Sequence, residues 1–535
     1  MQRLQCVYYV LLGVWFIASF PVVAQYFSCS KTESLNQLFS AERGSFNTCL
    51  PRKLGDWKKV LFEIGETLYE RIELLGSVTQ DHNPAVLDRP FLSSANRKAA
   101  TLIKDWLLEA GFCNVSLDWV GNVAGWYEGN SCHTKTLILG SHYDTVKDAG
   151  KYDGTYGILV SIGVVEALYK LQVTLPFDIQ IVAFENEEGN NDFGLVHTGS
   201  TFYVAGSIAK RNGARIQCYR MLKSQLDTKS AVHSNQSFAD YILEKIAISE
   251  QHSPIDRKML INYFCRHYPL AVDKEVLGYW EWHIEQGPVL DISRKEWGLV
   301  SSICGQQRWS FDVRGKAGHA GTVPMFVRQD SVAACVEMIQ QVEEITRSAV
   351  RDSNGTVHLV ATVGNISISP GSSNVIPNLC SFTMDIRCES DVIGESVRIR
   401  ITQKIKEIAK RRKIKVDYRQ LHRTKTVEMN SNWMEVIKYG AYLSNQFYLN
   451  ADWIKWLKQK LWKANSIDNH IPVLVSGAGH DAAILHQLYN VNMAFIRCRE
   501  GLSHHPKEYA SKEDMLAGAI TLFFSLLALA NTTKE

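Results

Sequence analysis

The hydrophobic positions of this chain fall into two kinds of run. From Trp57 to Leu75 apolar residues recur at helical spacing. Ser94–Gly111 does the same, with Ser94 placed to cap, a stripe of Leu102, Ile103, Trp106 and Leu107, and Gly111 to end it. Short extended stretches follow at Val115–Trp119 and Val123–Tyr127. Two apolar runs then stand out, Leu137-Ile138-Leu139 and Asp178–Phe184, of the kind carried by strands buried on both faces. A helix is predicted between them at Ile158–Leu171. Strand, helix, strand of this type is the unit of a mostly parallel α/β sheet. Both runs end in polar residues: His142, Asp144 and Asp153 after the first, and Glu185-Asn186-Glu187-Glu188-Gly189 after the second. In open α/β sheets the carboxyl ends of the strands are where ligands bind.

Farther on, the pattern changes twice. Arg211–Lys274 is charge-rich and irregular, and reads as helices and loops around the strand ends. Trp282-His283-Ile284-Glu285-Gln286-Gly287 adds a third polar cluster. From about Leu299 the chain predicts a compact α+β domain. Its elements are a strand at Arg308–Val313, a helix at Ser331–Ile345, strands near His358–Val363 and Cys380–Cys388, and a helix at Ser396–Arg411. The strand Pro472–Ser476, leading into Gly477-Ala478-Gly479-His480-Asp481, returns the chain to the first domain. The apolar stretch Met515–Ala530 is short for a bilayer span and predicts a core helix.

A chain of 535 residues is too long for one core. Its 58 Lys and Arg against 55 Asp and Glu, a formal charge of +3, lack the basic bias of a nucleic-acid binder, so no nucleic-acid partner is expected. Met1–Ala24 carries Arg3 and then an uncharged run from Val7, ending Val22-Val23-Ala24. This predicts a signal peptide cleaved after Ala24, with an uncleaved signal anchor as the alternative. The mature chain would then enter the secretory pathway, in the endoplasmic reticulum or secreted, with no stable membrane partner. Sequons at Asn114, Asn235, Asn354, Asn365 and Asn531 agree with that route. Of twelve cysteines, Cys6 lies in the signal, and the other eleven form no C-x-x-C pair. A Cys29–Cys49 bridge could close the N-terminal arm, and the rest read mostly as free buried thiols.

The strand-end residues form an inventory. His142 and Asp144, two apart on a strand, point to one side, so the carboxylate can orient the imidazole while its other nitrogen binds metal. Of the adjacent pair Glu187 and Glu188, one can ligate while its neighbour faces water. With Asp153, His283 and His480 these residues supply a two-metal hydrolytic centre: a bridging carboxylate, N and O ligands for each ion, and a free carboxylate as base.

The segments GSHYDTV, KYDG, ENEEG, HIEQGPVL, GKAGHAGTVP and SGAGHDA resemble those of the M20 metallopeptidase-type amidohydrolases. Within them they are most similar to the branch of allantoate amidohydrolases and N-carbamoyl-amino-acid hydrolases, over roughly Leu92 to Leu526. The resemblance implies two divalent ions per subunit, Mn or Zn, in an α/β catalytic domain interrupted by a smaller α+β lid that also makes a homodimer. On this chain that layout predicts a signal at 1–24, an arm at 25–55, catalytic parts at 56–298 and 426–535, and the lid at 299–425. By the same resemblance Asp153 would bridge the ions, His142 and His283 would complete one, and Glu188 and His480 the other. Glu187 would be the general base, supported by Asp144. His319 would reach into the partner subunit's site as an oxyanion donor. Gln306, Asn374 and Arg387 would hold a ureido-carboxylate substrate, with Gln286 and His504 as further substrate contacts. TVPMFVRQD at Thr322–Asp330 looks most like the allantoate enzymes, more than the carbamoyl-amino-acid or ureidoglycolate enzymes. A protein that kept the fold only for binding would have no need of Glu187. Where the family commonly continues Glu-Gly with an Arg-Phe pair, this chain has Asn190-Asn191-Asp192-Phe193. The stretches 211–274 and 447–470 are longer than expected, the second rich in Trp (Trp453, Trp456, Trp462).

Overall fold

A computed structural model describes residues 54–130, 135–230, 232, 236–250, 256–449 and 471–532. The expected signal, the arm, the Cys29–Cys49 pair, the Asn235 sequon and Trp453, Trp456 and Trp462 lie outside the described residues.

The chain builds most of one sheet, leaves it to build a second, and returns. β1 (Cys113–Leu117) and β2 (Val123–Tyr127) form an antiparallel edge, and β3 (Thr136–His142), β4 (Asp178–Phe184), β5 (Val276–Ile284) and β6 (Trp297–Ile303) follow. The excursion holds β7 (Gly305–Arg314), β8 (Gly318–His319), β9 (Leu359–Thr362), β10 (Ile366–Ser369), β11 (Val375–Ile376), β12 (Leu379–Cys388) and β13 (Lys415–Thr424). The return supplies β14 (Val427–Glu428), β15 (Val473–Ser476) and β16 (Val491–Ile496). The large sheet runs β1-β2-β4-β3-β5-β16-β6-β14, with β15 beside β6. Its centre, β4-β3-β5-β16, is parallel throughout. The architecture is therefore mixed α/β around a mostly parallel central sheet.

The buried apolar runs explain that centre. Every residue of β3 and β4 is buried, as strands covered on both faces require. One face packs on helices Leu54–Gly76, Thr155–Lys170, Ser431–Leu449 and Lys512–Thr532, and the other on Thr198–Asn212, Arg215–Leu226 and Arg257–Arg266. At roughly 1.5–3 kcal/mol per fully buried large aliphatic side chain, these two layers dominate the stability. The last helix has 21 residues and is long and apolar enough to cross a bilayer, so it is longer than the sequence suggested. Every residue from Gly518 to Ala530 is buried in the protein, which makes it a core helix.

The second sheet runs β10-β12-β7-β13, with β9 also beside β12, and is antiparallel. Helices Ser331–Asp352 and Asp391–Arg412 cover one face over Phe311, Met338, Phe382 and Ile401. Along β12 buried residues alternate with partly exposed ones, so Arg387 faces away from that core. Because β6 pairs within the large sheet, the excursion opens at Gly305 and not at 299. Thr426 ties its two crossings: the Oγ1 accepts from Gly305 N (3.2 Å), and the backbone N donates to Asp391 Oδ1 (3.0 Å).

The stretch 211–274 contains helices Arg215–Leu226, Phe238–Glu250 and Arg257–Arg266. Cys218 and Cys265 are joined there by a disulfide, contrary to the expectation of free thiols. Among the described residues, Cys304, Cys335, Cys380, Cys388 and Cys498 are free thiols.

Candidate metal centre

The carboxyl ends of β3, β4 and β5 bring His142, the Glu187–Glu188 turn and His283 together. Asp153 enters on the turn before helix Thr155–Lys170. Gly154 follows at φ +65°, and a Cβ on it would lie 2.4 Å from the His142 ring, so glycine is required where the turn passes the imidazole.

His142, Asp153 and His283 form one group of converging donor atoms, His142, Glu187 and Glu188 a second, and Asp153, Glu188 and His504 a third. His283 Nε2 lies 3.0 Å from Asp153 Oδ1, and His142 Nε2 lies 3.6 Å from the same oxygen. His504 Nε2 lies 3.0 Å from Glu188 Oε1 and 3.3 Å from Asp153 Oδ2. The surrounding bonds orient these groups. His283 Nδ1 pairs with Ile284 O (2.8 Å), leaving Nε2 to face Asp153. His142 Nδ1 is 3.2 Å from Asp144 O and 3.5 Å from Asp144 Oδ1. Asp144 also accepts from Glu187 N (3.0 Å) and Glu188 N (3.2 Å), so one carboxylate fixes both the imidazole and the acidic turn.

His480 is the residue that the geometry moves. Its Nε2 is 2.7 Å from Ser476 Oγ, its Nδ1 is buried without a partner, and it belongs to none of the three donor groups. The donor on that side is His504, expected as a substrate contact. Gln286 shifts as well: its Nε2 donates to Asp153 Oδ2 (2.7 Å), so it braces the central carboxylate. Two residues missed in the sequence complete the cradle. Ser503 Oγ donates to Asp153 Oδ2 (2.6 Å), and Glu508 Oε1 accepts from Tyr152 N (2.9 Å) and Asp153 N (3.0 Å). The signal was present in Ser503-His504-His505-Pro506-Lys507-Glu508, a polar turn that no apolar run explains.

The charges are strongly displaced. Burial alone would lift Asp153, but His283, His142 and His504 outweigh it and hold the carboxyl well below its ordinary range. Burial alone would lower His142, but hydrogen bonds to Asp144 and Asp153 lift it well above. Burial, with Glu188, Asp481 and Asp144 nearby, pushes Glu187 well up, against the opposing pull of His142. Asn186, His197, Gln286 and His504 all have left-handed backbones (φ +57°, +53°, +55° and +55°), a concentration of strain typical of functional sites.

The donor set fits divalent metal. Asp153 Oδ1 is buried, has no hydrogen-bond partner, and sits between two imidazole nitrogens, which leaves a site for a cation and not for a proton. Mixed imidazole and carboxylate donors suit Zn and Mn alike. The residues expected to hold substrate divide. Gln306 is buried and pairs in register with Arg387 on β12. Arg387 donates through Nη1 to Gly477 O (2.7 Å) and through Nη2 to Asp385 Oδ2 (3.1 Å), so it reaches the loop before His480. His319 and Asn374 are exposed on the β8–β11 arm. The hydrogen bond of the His319 side chain lies within its own loop, where Gly321 N donates to its Nδ1 (3.1 Å).

Known proteins resemble this chain over most of its length. The family model described as Peptidase family M20/M25/M40 matches residues 138–528. The chain is 34% identical over 457 residues to "Allantoate deiminase 1" of Glycine max, covering 82% of this chain and 84% of that one. It is 31% identical over 464 residues to "N-carbamoyl-L-amino-acid amidohydrolase" of Pseudomonas sp. (strain NS671), covering 86% and 97%. A solved amidase of the hydantoinase/carbamoylase family from Burkholderia multivorans shares the fold, with a TM-score of 0.68, 24% identity, and 87% and 98% of the two chains covered.

Proposed function

Because the chain belongs to peptidase family M20/M25/M40 and is a metal-dependent hydrolase of C–N bonds, we propose that it cleaves a ureido C–N bond of allantoate. Water enters, the bond between the ureido carbon and the substrate's amino nitrogen breaks, and the released carbamate falls apart to ammonia and carbon dioxide, leaving ureidoglycine. Relatives named allantoate deiminase in Glycine max and Arabidopsis thaliana support this substrate.

The observation that carries the reading is Glu187, a buried carboxylate that converges with His142 and Glu188 but takes no part in the pairing of Asp153 with His504. In this reading His142, Asp153, His283, Glu188 and His504 hold two divalent ions. Such ions, when bound, polarise the scissile carbonyl and acidify a water. Glu187 takes the proton of that water on its carboxylate and returns it to the leaving nitrogen. Arg387 recognises the substrate carboxylate with its planar fork, exchanging Gly477 O for the ligand, and Gln306 and Asn374 hold ureido groups. His319 donates to the developing oxyanion from a partner subunit. The bond from Gly321 N to its Nδ1 supports this role, because it leaves the proton on Nε2. The inserted sheet then serves as lid and dimer element. The Cys218–Cys265 pair supports passage through an oxidising secretory compartment.

The N-carbamoyl-L-amino-acid relative supports a second reading, with one ureido group in place of two. Ammonia release from allantoate, ureidoglycolate and N-carbamoyl-L-amino acids by the metal-loaded protein separates them. Preference for allantoate is expected, and turnover of the carbamoyl amino acids alone would replace this substrate.

A further inference from the structure

Glu187 is held at its backbone by two hydrogen bonds, and one of the two residues that make them also approaches its carboxylate and has no role in the mechanism above. Its backbone N donates to Asp144 Oδ1 (3.0 Å). Its backbone O accepts from His197 N (3.1 Å). Its Oε1 lies 3.2 Å from His197 Nδ1. That Nδ1 is buried and, as oriented, makes no hydrogen bond; the Glu187 carboxylate is an acceptor within its reach. On its far side the ring backs onto the loop before His480, where a Cβ on Gly479 would lie 3.1 Å from His197 Nε2.

The loop that presents His197 is the one whose sequence departs from the family after Gly189. Asn191 organises it: Oδ1 accepts from Phe193 N (2.9 Å) and Leu195 N (3.3 Å), and Nδ2 donates to Asn186 Oδ1 (2.9 Å) and Leu195 O (2.6 Å). Asn186 Nδ2 reaches Thr198 Oγ1 (2.6 Å), closing the loop beside His197. Phe193 anchors the outer side on Phe238 and Tyr241, with ring centroids 5.1 and 5.3 Å away. His197 itself has φ +53° and ψ +36°, a conformation unfavourable for a residue with a Cβ and held by these surrounding bonds.

We infer that His197 is a positioning residue for Glu187, fixing Oε1 so that Oε2 is the oxygen turned to the cleft, and that the Asn-rich turn 190–196 presents it. The inference rests on Glu187 being the base. A carboxylate swings about three side-chain torsions, and a misplacement of about 1 Å costs on the order of 10²-fold in rate. Removing the holder of one oxygen therefore acts on turnover and not on substrate binding.

The test compares His197→Phe, which removes the donor, with His197→Asn, whose amide nitrogen falls near the Nδ1 position. Both are measured in the full-length, metal-loaded protein with allantoate, beside Glu187→Gln and the double variant Glu187→Gln/His197→Phe. Expected are a kcat about 10–100-fold lower for His197→Phe with KM within about twofold, recovery of most of it in His197→Asn, and no further loss in the double variant. Metal content and the melting temperatures of the four metal-free proteins are measured in parallel, where the 187 and 197 substitutions should be non-additive. Wild-type kcat in His197→Phe while Glu187→Gln is inactive overturns the positioning role and leaves the base in place. Normal turnover by Glu187→Gln removes the base reading instead. Equal loss in the Phe and Asn variants, or additive melting shifts in the metal-free proteins, overturns the contact.

Discussion

His504 Nε2 lies 3.0 Å from Glu188 Oε1 and 3.3 Å from Asp153 Oδ2, so the loop after β16 supplies the last donor around the central carboxylate. His504→Ala should weaken metal binding by about 10-fold or more and leave close to one ion per chain. His480→Ala, which removes the partner of Ser476 Oγ, should retain both ions. Metal content after dialysis against a weak chelator checks this, and the opposite ranking would return His480 to the ligand set.

Arg387 should set the substrate class. Arg387→Lys keeps the charge but loses the fork, so KM should rise about 10–100-fold, the scale of a charge-assisted pair worth roughly 1.5–3 kcal/mol. A substrate amide analogue should be poor with wild type and lose little more with the variant. Equal losses on acid and amide would remove the carboxylate role.

The strand ends were legible because the apolar runs Leu137–Leu139 of β3 and Ile181–Phe184 of β4 give way to the polar residues around His142 and to the acidic turn. β5 was visible only as a polar cluster, since Glu281 and His283 interrupt its apolar run although every residue from Gly278 to Ile284 is buried within the sheet. β16 was not recognised at all. It lies between β5 and β6, and that placement brings Ser503, His504 and Glu508 to Asp153. Two histidine turns, at 480 and at 504, each follow a late strand, and local pattern cannot choose between them. The Cys218–Cys265 pair was equally hidden, because its halves lie 47 positions apart across irregular sequence.

That disulfide ties helix Arg215–Leu226 to helix Arg257–Arg266 over a separation of 47 residues. Chain-entropy reasoning puts its stabilisation at about 4 kcal/mol. Cys218→Ser/Cys265→Ser should melt lower and be cut faster by trypsin within 227–256. Unchanged melting and cleavage would mean that the helices hold without it.

A shared site predicts complementation. Glu187→Gln and His319→Ala homodimers should each be inactive, and mixing them under subunit exchange should restore up to about a quarter of wild-type activity, because each heterodimer regains one intact centre. No recovery despite demonstrated exchange would place His319 in its own subunit's site or outside the chemistry.

Glu187, as base, is to drive metal-dependent hydrolysis of a ureido bond. The most direct measurement is ammonia and carbon dioxide release from allantoate by metal-loaded wild type, by the chelated protein, and by Glu187→Gln with its metal content assayed. Wild type should release both stoichiometrically, the chelated protein none, and Glu187→Gln should lose roughly 10²–10⁴-fold or more at unchanged metal content. Turnover by Glu187→Gln at the wild-type rate, or by the chelated protein, would contradict this reading.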